Sequence, residues 1–154
     1  MTATNEATPV TTLDKGFLSG YFATDSERME TDFENCCLLV TNLVLDKAPP
    51  LLPVLEQATK AGVPLLVIAA GVEGEALNTL VTNKLRGIVR CCAVAVAGPD
   101  QEHLLDAAAT AGGTQIVATT EALEVLKFDK LGRIGHAVVT RDTTELWACA
   151  RPCR

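Results

Sequence analysis

From residue 36 onward, short uninterrupted apolar runs alternate with segments in which apolar residues recur every three or four positions. Cys36–Thr41 (CCLLVT), Val63–Ala70 (VPLLVIAA) and Ile88–Val96 (IVRCCAVAV) read as strands covered on both faces, the pattern of a parallel sheet. Leu51–Ala61 and Gly74–Leu85 have helical spacing and stop at Gly62 and Gly87, and Pro53 is tolerated because it falls in a first turn. Asp100–Ala111 predicts a third helix, ended by Gly112-Gly113, and Gln115–Ala118 a further strand. This alternation predicts an α/β fold, a parallel-sheet βαβ core with right-handed crossovers and flanking helices. After Glu121 the pattern weakens to a short helix (Glu121–Leu126) and strands at His136–Thr140 and Glu145–Cys149 around a turn at Arg141-Asp142. These strands are expected to pair with N-terminal strands as an additional β layer.

The first two helices carry more apolar residues than one buried stripe requires. Leu51, Val54, Ala58 and Ala61 already form a sufficient core face, yet Leu52 and Leu55 lie beside it on a second stripe that continues through Glu56 and Thr59. In the next helix Ala76 and Leu80 share one side, while Leu77 and Val81 extend round towards Thr82 and Asn83. Either both helices are buried nearly all round, or they expose a shared apolar groove with a polar rim. Residues 13–35 hold Phe17, Tyr21, Phe22 and Phe33, four of the six aromatics, which form either a hydrophobic nucleus for the β layer or a contact surface.

Composition narrows the function class. The 154 residues are 48% apolar with mean hydropathy +0.24, enough for one domain with a real core. The organisation expected is a polar leader over 1–12, a domain over 13–148 and a tail over 149–154. A net charge of −6, with no Lys/Arg cluster to track phosphates, excludes a nucleic-acid partner. The longest apolar run is far too short to span a bilayer, so no membrane partner is expected either. Cys36, Cys37, Cys91 and Cys92 lie inside strand-like runs and read as buried free thiols, and Cys149 and Cys153 lack the second pair a metal site needs. Gly71-Val72-Glu73-Gly74 occupies the place of a phosphate loop but lacks G-x-G-x-x-G and brings two carboxylates, Glu73 and Glu75, to where a phosphate would sit. A small nucleotide-binding or enzymatic α/β domain using that turn is the alternative reading. His103 and His136 have no evident catalytic partner in the sequence.

Several segments together resemble the apical domain of group I chaperonins, the GroEL type with its mitochondrial and plastid relatives. Leu13-Asp14-Lys15-Gly16-Phe17-Leu18-Ser19-Gly20-Tyr21-Phe22 is similar to that family's D-R-G-Y-x-S-P-Y-F segment. Leu52-Pro53-Val54-Leu55-Glu56 and Pro64-Leu65-Leu66-Val67-Ile68-Ala69 resemble L-P-V-L-E and P-L-L-I-I-A. The most specific piece, Val72–Gly87 (VEGEALNTLVTNKLRG), resembles V-E-G-E-A-L-A-T-L-V-V-N-K-L-R-G. The likeness runs over about residues 11–148. It departs at Ala70-Gly71, where the family has E-D, and at Ala95–His103, which replaces the family's K-A-P-G-F-G-x-R-R segment.

The resemblance implies a chaperonin apical fold (a swivelling β/β/α domain) cut from a longer subunit, and a surface that holds non-native polypeptide and the mobile loop of a co-chaperonin. Carried over position by position, that surface is Phe17, Tyr21 and Phe22, Leu52, Leu55 and Glu56 on the first helix, and Leu77, Val81 and Asn83 on the second. Thr59 and Thr82 replace small or apolar family residues and make the groove more polar. Sister subunits in a ring are further implied partners. No catalytic, metal or cofactor site is implied in this domain, since ATP and magnesium would belong to an equatorial domain outside the chain. Similarity to plastid subunits implies the chloroplast stroma, with the mitochondrial matrix or a bacterial cytoplasm as alternatives.

Overall fold

A computed structural model describes residues 11–13, 15–17, 22–23, 27, 29–49, 51–124 and 131–148. Among these residues the chain forms β1 (Thr11–Leu13), β2 (Thr31–Leu45), α1 (Leu52–Ala61), β3 (Leu65–Val72), α2 (Gly74–Leu85), β4 (Cys91–Ala95), α3 (Gln101–Gly112), α4 (Thr120–Glu124), β5 (Gly132–Val139) and β6 (Thr144–Ala148). The strands join in one six-stranded mixed sheet in the order β1-β6-β5-β2-β3-β4. The α/β class and the parallel βαβ core are as the apolar runs predict: β2, β3 and β4 are parallel neighbours joined through α1 and α2.

Both crossovers step the same way across the sheet, so right-handed connections place α1 and α2 on one face. The Cys91 thiol donates to the Leu80 carbonyl of α2 at 3.1 Å, which identifies Cys37, Leu65 and Cys91, aligned in register, as residues of that face. The aligned trio Leu38, Leu66 and Cys92 points the other way, towards α3, whose Gly112 lies against the Leu38 side chain. All six of these side chains are fully buried. Burial of each leucine among them stabilises the fold by about 1.5 to 3 kcal/mol relative to exposure.

The additional β layer is a correction in detail. The C-terminal strands do pair with N-terminal ones, β6 with β1 and β5 with the first half of β2, but as a hydrogen-bonded continuation of the central sheet. The device is the length of β2, 15 residues where the sequence pattern marks only Cys36–Thr41. Its first half alternates buried Thr31 and Phe33 with exposed Asp32 and Glu34, a one-sided pattern that the search for uninterrupted apolar runs passes over. Asn35 in this strand has φ 53, a left-handed backbone that Asn tolerates better than most residues. The antiparallel half then curls back over the core. Phe17 N–H donates to the Thr140 carbonyl at 3.0 Å while Phe17 bridges Val94, tying the end of β5 to the free edge of β4, and the Thr31 hydroxyl donates to the Phe22 carbonyl at 2.7 Å.

Two other expectations change. Gln115–Ala118 forms no full strand: it makes a single parallel bridge, Val117 to Thr41, reinforced by the Thr41 hydroxyl donating to the Val117 carbonyl at 2.6 Å. Thr11 and Thr12, expected in the polar leader, pair with Leu146 and Glu145 in β6. The remaining helices and strands fall within a few residues of their sequence-based limits, apart from the end of the helix over Glu121–Leu126, which lies outside the described residues, as does Cys149.

Candidate functional site

The flanks of α1 and α2 can be oriented from a few contacts. In α1 the core face is Val54, Leu55 and Ala58, and in α2 it is Ala76 and Leu80. α4 is the helix packed beside α1. Ahead of α1, Ala48 N–H donates to Glu75 Oε1 of α2 at 2.9 Å, so the Glu75 flank of α2 looks towards α1. On the other flank Lys84 Nζ donates to the Ala23 carbonyl at 3.0 Å, beside the N-terminal segment that covers the β4 edge. A turn of 100° per residue then sorts the helix: Glu75, Thr79, Thr82 and Asn83 face α1, whereas Leu77, Val81 and Lys84 face away. α1 and α2 run in the same direction, so the matching flank of α1, namely Leu52, Glu56 and Thr59, is the one that faces α2.

The cleft between the helices is therefore mostly polar. A shallow depression on its α2 side is lined by Gly74, Glu75, Asn78, Thr79, Thr82 and Asn83, all from that helix. On the two flanks of the cleft, the Thr59 hydroxyl donates to the Leu55 carbonyl of its own helix at 2.8 Å and one N–H of Asn83 Nδ2 to the Thr79 carbonyl at 2.7 Å. Their oxygen lone pairs are left to accept and the second Asn83 N–H to donate, so the wall offers both kinds of group. Leu52 is its exposed apolar member, at 46% exposure.

The residues assigned by resemblance divide accordingly. Leu52 and Glu56 are exposed and Asn83 half-buried on the cleft flanks, while Leu77 and Val81 are half-buried on the far flank of α2. Leu55 is buried at 4% exposure, Phe17 at 8% and Phe22 completely, so these three pack in the core and present no surface. The physical reason differs by residue: Leu55 points at the sheet from the first turn of α1, Phe17 bridges Val94 at the edge of β4, and the Phe22 carbonyl accepts from the buried Thr31 hydroxyl of β2 at 2.7 Å. Tyr21 lies outside the described residues. The excess leucines thus resolve into both readings at once, Leu55 as core and Leu52 as surface.

Sequence reasoning missed the continuation of the α2 far flank. Leu85 and Ile88 are 59% and 48% exposed and extend the Leu77–Val81 row towards the end of the helix. The i, i+4, i+8 spacing of Leu77, Val81 and Leu85 carried that signal. It also missed the partner of His136: Nε2 lies 2.7 Å from Asp32 Oδ1, and the ring stacks on Trp147 with centroids 4.8 Å apart. The contact partners are far apart in sequence, and pairing of β2, β5 and β6 brings them together on the outer face of the antiparallel half.

The Gly71–Gly74 turn, the place of the phosphate-loop alternative, joins β3 to α2. Gly71 belongs to β3, and a Cβ there would sit 3.3 Å from the Val44 side chain, so this glycine serves strand packing. Gly74, with φ 56, opens α2, and the carboxylates of Glu73 at the N-cap and Glu75 in the first turn complement the positive end of the helix dipole where a phosphate would otherwise bind. The four strand thiols are held protonated by burial, with Cys36 and Cys91 pushed up to about 12 and Cys37 to about 11, and they offer no nucleophile at neutral pH. Among the described residues no cluster of three His, Cys, Asp or Glu side chains could hold a metal ion. No protein-family model matches the chain.

Proposed function

We propose that the chain is a polypeptide-binding module of the group I chaperonin apical type, which holds segments of non-native proteins, and a co-chaperonin loop, on the α1–α2 surface. The observation that carries this reading is the exposure of Leu52 at the start of α1, on the flank that faces α2, with a second exposed apolar row at Leu85 and Ile88 on the opposite flank of α2. At 46% exposure Leu52 leaves about half of its side chain to a partner, and burying that part is favourable by about 0.7 to 1.5 kcal/mol. One such contact, less the cost of ordering a client segment, makes a weak site. Useful affinity would come from several copies in a ring, by multivalency, with release driven by the ATP-hydrolysing part of a longer parent subunit. The chain itself is then a non-enzymatic binding domain, and its fold the apical one, with the curled antiparallel strands as its β layer.

The test is retention of a permanently unfolded, reduced and carboxymethylated protein by the immobilised chain. Leu52→Ser, on an exposed position, should leave the circular dichroism spectrum intact and weaken retention roughly ten-fold. A folded Leu52→Ser variant that retains the client as well as the parent chain overturns the proposal.

A further inference from the structure

The charges along the cleft are segregated. α1 and α2 both begin at the carboxyl ends of β2 and β3, here the head, and both end at the foot. Around the head stand Asp46, Glu56, Glu73 and Glu75, all exposed, with Lys47 the nearby cation. At the foot stand Lys60 in the last turn of α1 and Arg86 just after α2, both exposed, followed by Arg90. Leu52 sits near the head, and Thr59, Thr82 and Asn83 line the walls towards the foot. The 12 residues of α2 make the cleft about 18 Å long. An extended peptide advancing about 3.3 Å per residue covers that in five or six residues.

Building on the polypeptide-binding reading, we infer that the α1–α2 cleft selects extended segments of mixed charge: a basic side chain at the head with an apolar neighbour against Leu52, and an acidic side chain five or six residues away at the foot. The charges of head and foot complement such a segment at both ends, and the Thr and Asn walls between them supply hydrogen-bonding groups to its backbone. A uniformly apolar segment finds one exposed leucine here. A segment with like charges at both ends meets repulsion at one of them. With two solvent-exposed pairs turned from attractive to mixed, the preference for the matched segment is roughly ten-fold.

Four labelled eight-residue peptides with the same central leucine test this on the full chain at low salt, by fluorescence anisotropy. Their ends carry Lys and Glu, Lys and Lys, Glu and Glu, or Gln and Gln. The Lys/Glu peptide should bind tightest, its advantage should collapse in 0.5 M salt over a Debye length of about 4 Å, and Glu56→Lys should lower its affinity without unfolding an exposed position. A nitroxide on its lysine end should broaden the amide resonances of Glu73 and Glu75 and spare that of Arg86. Equal binding of all four peptides, or tightest binding of the Gln/Gln peptide, overturns the charge selection and leaves the polypeptide-binding reading standing. Binding of none of them, with no retention of the unfolded client, overturns both.

Discussion

Thr41 is where the parallel core and the α3–α4 connection are held together, and its hydroxyl can be removed almost without changing shape. It is fully buried. Its Oγ1 donates to the Val117 carbonyl at 2.6 Å and accepts from Leu43 N–H at 3.1 Å, at the point where the register between β2 and β3 shifts by one residue. Thr41→Val keeps the branched volume and removes both bonds. The Val117 carbonyl still has Asn42 N–H at 3.3 Å, but Leu43 N–H loses its side-chain partner in a part-buried position. One net hydrogen bond and one orphaned donor together cost about 2 to 3 kcal/mol, or roughly 5 to 10 °C in Tm for a domain of this size. Thr41→Ser is the control, since it keeps both bonds and gives up one methyl, worth about 0.8 kcal/mol. Urea and thermal unfolding monitored by circular dichroism rank the two variants, and amide exchange at Leu43 and Val117 reports whether the loss is local. If Thr41→Val is as stable as Thr41→Ser or more so, the hydroxyl is not what anchors this connection.

Alkaline pH and close packing give two further tests. Burial keeps the strand thiols protonated to about 11 at Cys37 and about 12 at Cys36 and Cys91, whereas in the unfolded chain they ionise near their ordinary value of 9.0. Above pH 9 the unfolded state therefore binds fewer protons than the folded one, and the thiols' contribution, complete below pH 9, is lost as pH rises towards 11. The urea midpoint should fall between pH 8.5 and 10.5, and fall less in a Cys37→Ala, Cys91→Ala variant; an equal fall in both chains removes the thiols as the cause. Gly112→Ala should destabilise by about 1 to 3 kcal/mol, opposite in sign to the usual gain from glycine to alanine in a helix, because the new Cβ would lie 2.6 Å from Leu38 Cδ2. Adding Leu38→Ala should make the double variant more stable than the sum of the single costs, whereas simple additivity would show that the two side chains do not collide.

What the sequence revealed and what it hid follow from the reach of each signal. Runs such as VPLLVIAA are legible because a strand covered on both faces has no polar position to break the pattern. The first half of β2 was not, because only Thr31 and Phe33 of it face inwards, and its partner β5 lies about a hundred residues on. Gln115–Ala118 has a strand's composition, yet only Val117 finds a neighbour, since β5 occupies the adjoining edge of β2. In the helices, periodicity fixes the angle of every side chain about its own axis. It does not say which flank meets which neighbour. Leu52 and Leu55 are three residues apart on the same wheel, and only the placement of the sheet below makes one core and the other surface.

The same limit governs the cleft itself. Thr59 and Thr82 stand out in the sequence as polar departures from an apolar pattern, but that they share one cleft depends on the strand order β2-β3-β4 and on two parallel crossovers. Segregated charge at the cleft ends has a second origin that sequence cannot separate from recognition. Carboxylates near helix N-termini and cations near C-termini stabilise each helix by about 0.3 to 1 kcal/mol per charge whether or not anything binds. Two parallel helices with such ends necessarily enclose a dipolar cleft. What helix stability does not require is an exposed leucine at one end of it and a wall in which the Thr59 hydroxyl and one Asn83 N–H are turned to their own helices, leaving their oxygens to accept. Those features point outwards to a ligand, and the four-peptide comparison separates them from dipole complementation, since charges that serve only the helices give no preference among the peptides.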